Sequence, residues 1–495
     1  MGALGEQSQP RPGALDGEGE RGTQDASIPA PPLPAPPLPA PPPRWDDASQ
    51  RRELSRLLLL ALPLTLSFAG QQLLSLVDTF VAGRLGVQAL AATGAGGALF
   101  WLGSVAPLGI MLSMDPLSSQ AVGAGDQRRL WLACRGGLGY ALLLSLATIL
   151  VLLALITPGL PWVEGEVGAE TSAYLLGRAF GVLPFLSYIT LRCHLQAQNV
   201  TAPILFATAL ANLLNFPLSC WLGGGATLLE SLGLPALSGG GYGVWGIGLA
   251  SAIASLLEAL ILLLWTVRRA RRFPWPRVAL WREITRIGLP IGGALLSEGG
   301  IFSAVTLLAG SWGVGAVSAH QITLQLASFT FTLCLGVSSA TAVRVGYWIG
   351  AEAPAGSHFA ARCGLAIGLA MMSCSALLFL GSGSPLAALL TADAEVQQLA
   401  TALLMIAAAF QLFDALQVIA AGALRGAGWT TAPLYIAAIS HWGVGLPLGL
   451  LLAYPYEMGI RGLWWGLVAG LCVAGLAMTR SFFKRLSLLS EESAR

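Results

Sequence analysis

The chain has 495 residues, of which 55% are hydrophobic and only 11% charged. Soluble domains carry about 25% charged residues, so a soluble fold of this size would not cover its surface, and that class is excluded. The net charge of +2 names no partner, and nucleic acid is not expected because no concentrated basic face stands apart from the apolar segments.

Residues 1–50 are polar and then proline-rich, with PAPPLPAPPLPAPPP running from Pro29 to Pro43. Such a stretch builds no core and is expected to be a disordered or polyproline II tail. It lacks the charged start and apolar centre of a signal peptide. Twelve apolar stretches follow, at 54–82, 89–122, 130–157, 171–193, 202–224, 243–267, 285–312, 317–349, 359–382, 396–424, 432–453 and 460–482. A helix needs about 20 apolar residues to cross hydrocarbon. The stretches lack the period-2 alternation of barrel strands, so the predicted fold is an all-α membrane protein of twelve transmembrane helices.

Basic residues recur on alternate connections. Arg51, Arg52 and Arg56 precede the first span, Arg128, Arg129 and Arg135 follow the second, and Arg192 is read as following the fourth. Arg268, Arg269, Arg271, Arg272, Arg277, Arg282 and Arg286 link the halves, and Arg362, Arg425, Arg480, Lys484 and Arg485 complete this side. The other connections hold mainly Arg84 and Arg461 among acids such as Glu164, Glu166, Glu230 and Asp393. Positive charge is retained inside, so both termini are expected in the cytoplasm and the chain in the plasma (inner) membrane.

The two halves repeat. A shift of 227 residues takes Leu62-Pro63 to Leu289-Pro290, Gly86-Val87 to Gly313-Val314 and Leu108-Gly109 to Leu335-Gly336. A shift of 230 takes Thr201-Ala202-Pro203 to Thr431-Ala432-Pro433 and Pro217-Leu218 to Pro447-Leu448. Six spans per unit make the repeats parallel, an arrangement suited to two lobes rocking about a central cavity. The expected organisation is a tail at 1–50, an N-lobe at 51–267, a basic cytoplasmic linker at 268–284, a C-lobe at 285–484 and a C-terminal tail at 485–495.

An ionisable group within a span costs about 2.5–3.5 kcal/mol on insertion scales and is a functional candidate by default. Asp78, Asp115, Glu298 and Asp414 qualify; Glu258 is read as solvated or interfacial. A carboxylate in a low-dielectric cavity sits near the balance between its charged and neutral forms, which is what coupling to a proton or Na⁺ requires. Glu298 and Asp414 lie in one half and are candidates to share a cation. Asn212 and Asn215 share a helix face and are candidates either for an ion or substrate contact or for interhelical bonding; Gln321 and Gln417 are similar. His320 is read as a helix contact rather than a proton relay. The seven cysteines show no metal-ligand or disulfide spacing. No phosphate loop of the G-x-x-x-x-G-K-[ST] type is present, and neither an enzyme nor a cofactor is expected.

Several segments together resemble the multidrug and toxic compound extrusion (MATE) family, especially its bacterial NorM-like branch. Val77-Asp78-Thr79 through Gly83-Arg84 is similar to the family's VDT-x-x-x-GR segment. Gln120 through Gly123-Ala124-Gly125, Ala319-His320-Gln321, Arg344-Val345-Gly346 and Asp414-Ala415-Leu416-Gln417 through Leu424-Arg425-Gly426 match further elements in order. The resemblance spans nearly all of 54–483. It implies a monomeric exporter of small organic cations, drugs or metabolites, in exchange for Na⁺ or H⁺. It implies Asp78 and the Asn212/Asn215 face as N-lobe site residues, and Glu298 with Asp414 as the C-lobe cation site. Phe410 stands where Na⁺-coupled members carry a tyrosine hydroxyl, which keeps H⁺ as plausible as Na⁺. Asp115 resembles an acidic position of other branches. The alternative is a related flippase of a lipid-linked or polyanionic substrate, for which Arg178 and Arg344 are the residues that speak. A channel or receptor fits the repeat less well.

Overall fold

The computed structural model describes residues 46–157, 164–235, 237–269 and 278–494. Most of the proline-rich tail lies outside these residues, as does the arginine-rich part of the linker at 270–277. Among the described residues there is no β-strand. Among the described residues eleven helices are long and apolar enough to cross a membrane, and a helix pair bent by 46° brings the number to twelve if it is one span.

In chain order the first half comprises α1 (Asp47–Leu85), α2 (Val87–Met111) continued by α3 (Met114–Gly123), α4 (Gln127–Leu155), the bent pair α5 (Gly165–Ala179) and α6 (Val182–Ala197), α7 (Ala202–Ser231) and α8 (Gly243–Val267). The second half comprises α9 (Val278–Ala309), α10 (Val314–Gly350), α11 (Pro354–Leu390), α12 (Ala394–Gly426), α13 (Thr431–Ala438) joined through a π-helical segment to α14 (Leu446–Ala453), and α15 (Ile460–Ala494). Asp46 caps α1 by accepting from the Ser49 amide at 2.9 Å, and the Ser49 side chain and amide hold the Asp46 carboxyl below its ordinary range. Three boundaries differ from expectation. Helix α1 starts inside the predicted tail, α9 starts inside the predicted linker, and α15 continues through most of the predicted C-terminal tail. Polar helix ends project beyond hydrocarbon, so a hydropathy reading clips them.

The repeat seen in the sequence reappears as geometry. Gly86 and Gly313 join the first and second spans of each half, with φ of 135° and 88° and ψ of 174° and 178°. Only glycine occupies that region freely, so the same residue makes the same turn twice. Packing repeats as well. In the first half α7 packs on α8, α5 on α8, and α2 on α5; in the second α14 packs on α15, α12 on α15, and α10 on α12. Between halves α1 lies against α10 and α2 against α9, the two equivalent crossings of a pseudo-two-fold. Large apolar side chains such as Leu59, Leu150, Leu213, Leu307 and Leu389 remain exposed on the outer faces. Water would penalise such surface by about 25 cal/mol per Å², whereas lipid solvates it, as befits a multi-pass membrane protein.

At the end of the bundle that bears Asp46 and the C-terminus, here the basic end, the halves meet backbone to backbone. A Cβ at Gly350 would fall on the Gln120 carbonyl, and one at Gly123 on the Tyr347 carbonyl. Small residues let helix backbones approach this closely. Gly350→Ala is therefore expected to cost about 1–3 kcal/mol, the range of overpacking, read as a lower thermal-unfolding midpoint of the detergent-purified protein. An unchanged midpoint would mean that the halves part there without resistance.

Candidate functional site

In the second half α9 brings Glu298 against α12. The Gln417 side chain lies close to the Glu298 carboxylate, and Asp414, one turn earlier on α12, lies within electrostatic reach of Glu298. Asp414 and Gln417 are buried, and Glu298 is half-buried. Asp414 Oδ2 and Gln417 Oε1 have no hydrogen-bond donor. A buried oxygen left unpaired costs about 1–3 kcal/mol, so these two oxygens, one of them Asp414's own, together with the Glu298 carboxylate suit one small positive charge. The sequence had placed Glu298 and Asp414 in one half, and the fold brings them together. Phe410 lines the same helix without an oxygen: it is buried between Phe302 and Trp464, with ring centroids at 6.0 and 5.9 Å.

His320 is buried and pairs with Thr306 at 2.9 Å, joining α10 to α9, which matches its reading as a helix contact. Its neighbour Gln321 is exposed on α10, outside the Glu298–Asp414 contacts. Among the described residues no three His, Cys, Asp or Glu side chains converge as metal ligands. The cysteines are free; Cys374 is exposed and Cys472 half-buried, while the other five are buried.

In the first half Asp78 is buried and fully engaged. Its oxygens accept from Ser251 Oγ at 2.8 and 2.7 Å and from Tyr174 Oη at 3.0 Å. Asp78 lines a cavity of about 440 Å³ walled by α1, α2, α5, α6 and α8, together with Gln71, Phe100, Trp101, Arg178 and Phe185. Asn212 faces elsewhere, into a groove of about 430 Å³ between α1 and α7 that reaches Phe329. Its amide donates to the Thr208 carbonyl at 2.8 Å. Asn215 is buried with both amide atoms unpartnered.

Two readings of the first half are corrected. Glu258 is not solvated: it is buried on α8 and accepts from Gln71 Nε2 at 2.6 Å. Arg192 does not follow the fourth span but lies buried within α6, its guanidinium over the Phe68 ring at 4.8 Å. Both were misread for the same reason. Charge near the end of an apolar stretch looks interfacial until the neighbouring helices are known. The helical spacing of Ser251, Ser255 and Glu258, facing Gln71, Ser75 and Asp78, was the signal available.

A third correction concerns Asp115, a functional candidate by its place inside a span. It sits at the basic end, where its carboxylate accepts from Arg425 Nε across the halves at 3.1 Å and from Gln196 Nε2 at 2.5 Å. Arg344, the other arginine of the flippase alternative, is likewise spent on structure. Its guanidinium holds Glu53 through two bonds at 2.7 and 2.6 Å, with both side chains buried. These two ion pairs, with Gln120 Nε2 donating to the Gly426 carbonyl at 3.0 Å, lock α1 and α3 to α10 and α12.

With this geometry in hand, comparison with known proteins is informative. A family profile described as MatE matches residues 63–221 and 290–451, one match per half. The chain is 36% identical to a probable multidrug resistance protein NorM of Xanthomonas axonopodis pv. citri, covering 86% of this chain and 92% of that one. It is 37% identical to the protein of the same name from Deinococcus radiodurans, covering 88% and 96%. Among solved structures, a eukaryotic MATE transporter superposes with a TM-score of 0.77 at 20% identity, covering 90% of this chain and 99% of that one. The Vibrio cholerae MATE transporter in its bent form gives 0.75 at 20% identity with the same coverage.

Proposed function

The chain belongs to the MATE family, within its NorM-like group, and from that premise we propose that it is a secondary antiporter that exports cationic or amphiphilic organic compounds in exchange for H⁺ or Na⁺. The observation that carries this reading is the Glu298–Gln417–Asp414 cluster, where two carboxylates come together and Asp414 Oδ2 and Gln417 Oε1 lack donors. One proton or Na⁺ relieves the repulsion between the acids, and its departure leaves negative charge that a cationic guest can neutralise. Binding of ion and guest is then competitive, which is the requirement for exchange. Phe410 adds no oxygen to this cluster, so a Na⁺ there would rely on the carboxylates and the Gln417 amide.

The two halves act as lobes that rock between an opening at the basic end and one at the other end. In this structure the basic end is shut by the Glu53–Arg344 and Asp115–Arg425 pairs. The excess of basic residues at that end supports a cytoplasmic position for it and for both termini, in a plasma membrane. The protein works as a monomer and needs no cofactor and no catalytic step. Relatives named as multidrug resistance proteins support drug-like compounds as guests.

The test is transport of a fluorescent organic cation in proteoliposomes with H⁺ and Na⁺ gradients imposed separately. At least one gradient is expected to drive dye against its own concentration difference. Dye that only equilibrates under both gradients would rule out antiport.

A further inference from the structure

At the basic end a pocket of about 410 Å³ opens where α1, the turn before α7 and α10 meet. Arg56, Asn199, Thr201, Arg344 and Tyr347 line it. Arg344 gives two of its five N–H groups to Glu53 and is neutralised by it. Arg56 is exposed and forms no ion pair among the described residues. The Thr201 side chain makes no capping bond at the start of α7. The pocket therefore keeps one uncompensated positive charge and spare donors around it.

Its level in the membrane follows from α1. Arg56 is the last charge before the apolar run that opens at Leu57, so it lies where lipid headgroups lie. From it the exposed side chains of Leu59, Leu62 and Leu66 follow one face of the helix. This stripe runs into the apolar groove between α1 and α7 that reaches Phe329 on α10. Leu66 and Ala69, at the near end of the groove, stand about 15 and 20 Å along α1 from Arg56 at about 1.5 Å per residue. That is close to the depth from a headgroup to the middle of a bilayer, about 20 Å.

We propose that one anionic phospholipid of the phosphatidylglycerol class binds here, its phosphate on Arg56 and Arg344 and one acyl chain laid along the stripe into the groove. A phosphodiester carries the single negative charge that the pocket lacks, and guanidinium groups pair well with it. A zwitterionic lipid brings its own ammonium group against Arg56. Free phosphate would leave the stripe and the groove unused. Arg56, Asn199 and Thr201 belong to the first half, and Arg344 and Tyr347 to the second, so the bound phosphate ties the halves together and favours the closed basic end. Lipid binding here is independent of the antiport reading.

The test titrates the delipidated full chain in detergent with dioleoyl phosphatidylglycerol or dioleoyl phosphatidylcholine and counts bound lipid by native mass spectrometry. The first phosphatidylglycerol is expected to bind about 10-fold more tightly than the first phosphatidylcholine, the scale of a charge-assisted hydrogen bond. Arg56→Gln, at an exposed position, is expected to remove that preference, and Arg56→Lys to keep part of it. Arg128→Gln, which removes another exposed arginine of the basic end outside the pocket, is expected to leave it intact. Ala209→Trp, in the wall of the groove, is expected to weaken phosphatidylglycerol binding about 5-fold by filling the path of the chain. At about ten times its dissociation constant phosphatidylglycerol is expected to slow maleimide labelling of buried Cys363 about 10-fold. Equal affinity for the two lipids, or the same loss in Arg128→Gln as in Arg56→Gln, overturns the proposal. Displacement by equimolar inorganic phosphate assigns the pocket to a free anion and overturns it as well. Full binding in Ala209→Trp overturns the course given to the chain, and an unchanged labelling rate overturns the tie between the halves.

Discussion

Asp414→Asn and Glu298→Gln are each expected to reduce gradient-driven transport to the protein-free background while the protein still folds. The substitutions keep shape and volume but remove the charge that a coupling ion must neutralise. With one acid gone, the remaining carboxylate no longer faces a like charge, and the ion and the guest cease to compete for the site. Asp414 Oδ2 has no donor in the native structure, so an amide there breaks no hydrogen bond at that atom, and the fold is expected to survive. The two effects are not additive, since either change empties the same site. Binding of the fluorescent cation in the absence of a gradient separates the outcomes. Variants that bind the dye yet do not move it indicate lost coupling. Unimpaired transport by both variants would remove this cluster from the mechanism.

The second large effect concerns the basic end. Glu53→Gln is expected to open it, because Arg344 loses a bidentate partner while both side chains are buried in the closed arrangement. Removing one member of a buried ion pair costs about 3–5 kcal/mol. That cost falls on the closed arrangement alone if opening hydrates Arg344, so the balance between the two shifts by roughly 100-fold or more. Cys363, buried on α11 near Glu53, provides the readout. Its labelling by a polar maleimide, followed by mass spectrometry, is expected to accelerate at least about 10-fold. The exchanged pair Glu53→Arg with Arg344→Glu restores opposite charges and is expected to slow labelling again. A native labelling rate in Glu53→Gln would show that the ion pair does not hold this end shut.

The motif residues divide unexpectedly between these two regions. Asp414 and Gln417 belong to the ion cluster, but Gln120, Gly123, Arg344, Gly346, Arg425 and Gly426 converge on the closed basic end. There a Cβ on Gly346 would strike Ser119, and one on Gly426 the Ala342 carbonyl. Much of the resemblance therefore records how the halves close against each other rather than what they bind. Asp115 was misassigned for this reason: alone in an apolar stretch it looks like a cavity acid, and its partner Arg425 is 310 positions away in the chain.

The sequence by itself determined the spans, their number, the repeat and the turn glycines Gly86 and Gly313. Lipid demands long apolar helices, and a φ of 135° or 88° at these turns favours glycine; both are constraints on single segments, so they show locally. It also placed Glu298 and Asp414, because an acid in an apolar run stands out without knowledge of its neighbours. Only the tertiary structure decided which buried charges are already satisfied. Glu258 with Gln71, Arg344 with Glu53 and Asp115 with Arg425 are paired across helices, whereas Arg178 reaches its cavity with Nε unpaired. The worth of a buried charge depends on the groups within a few ångströms of it, and helix packing brings those groups from parts of the chain that no local pattern connects.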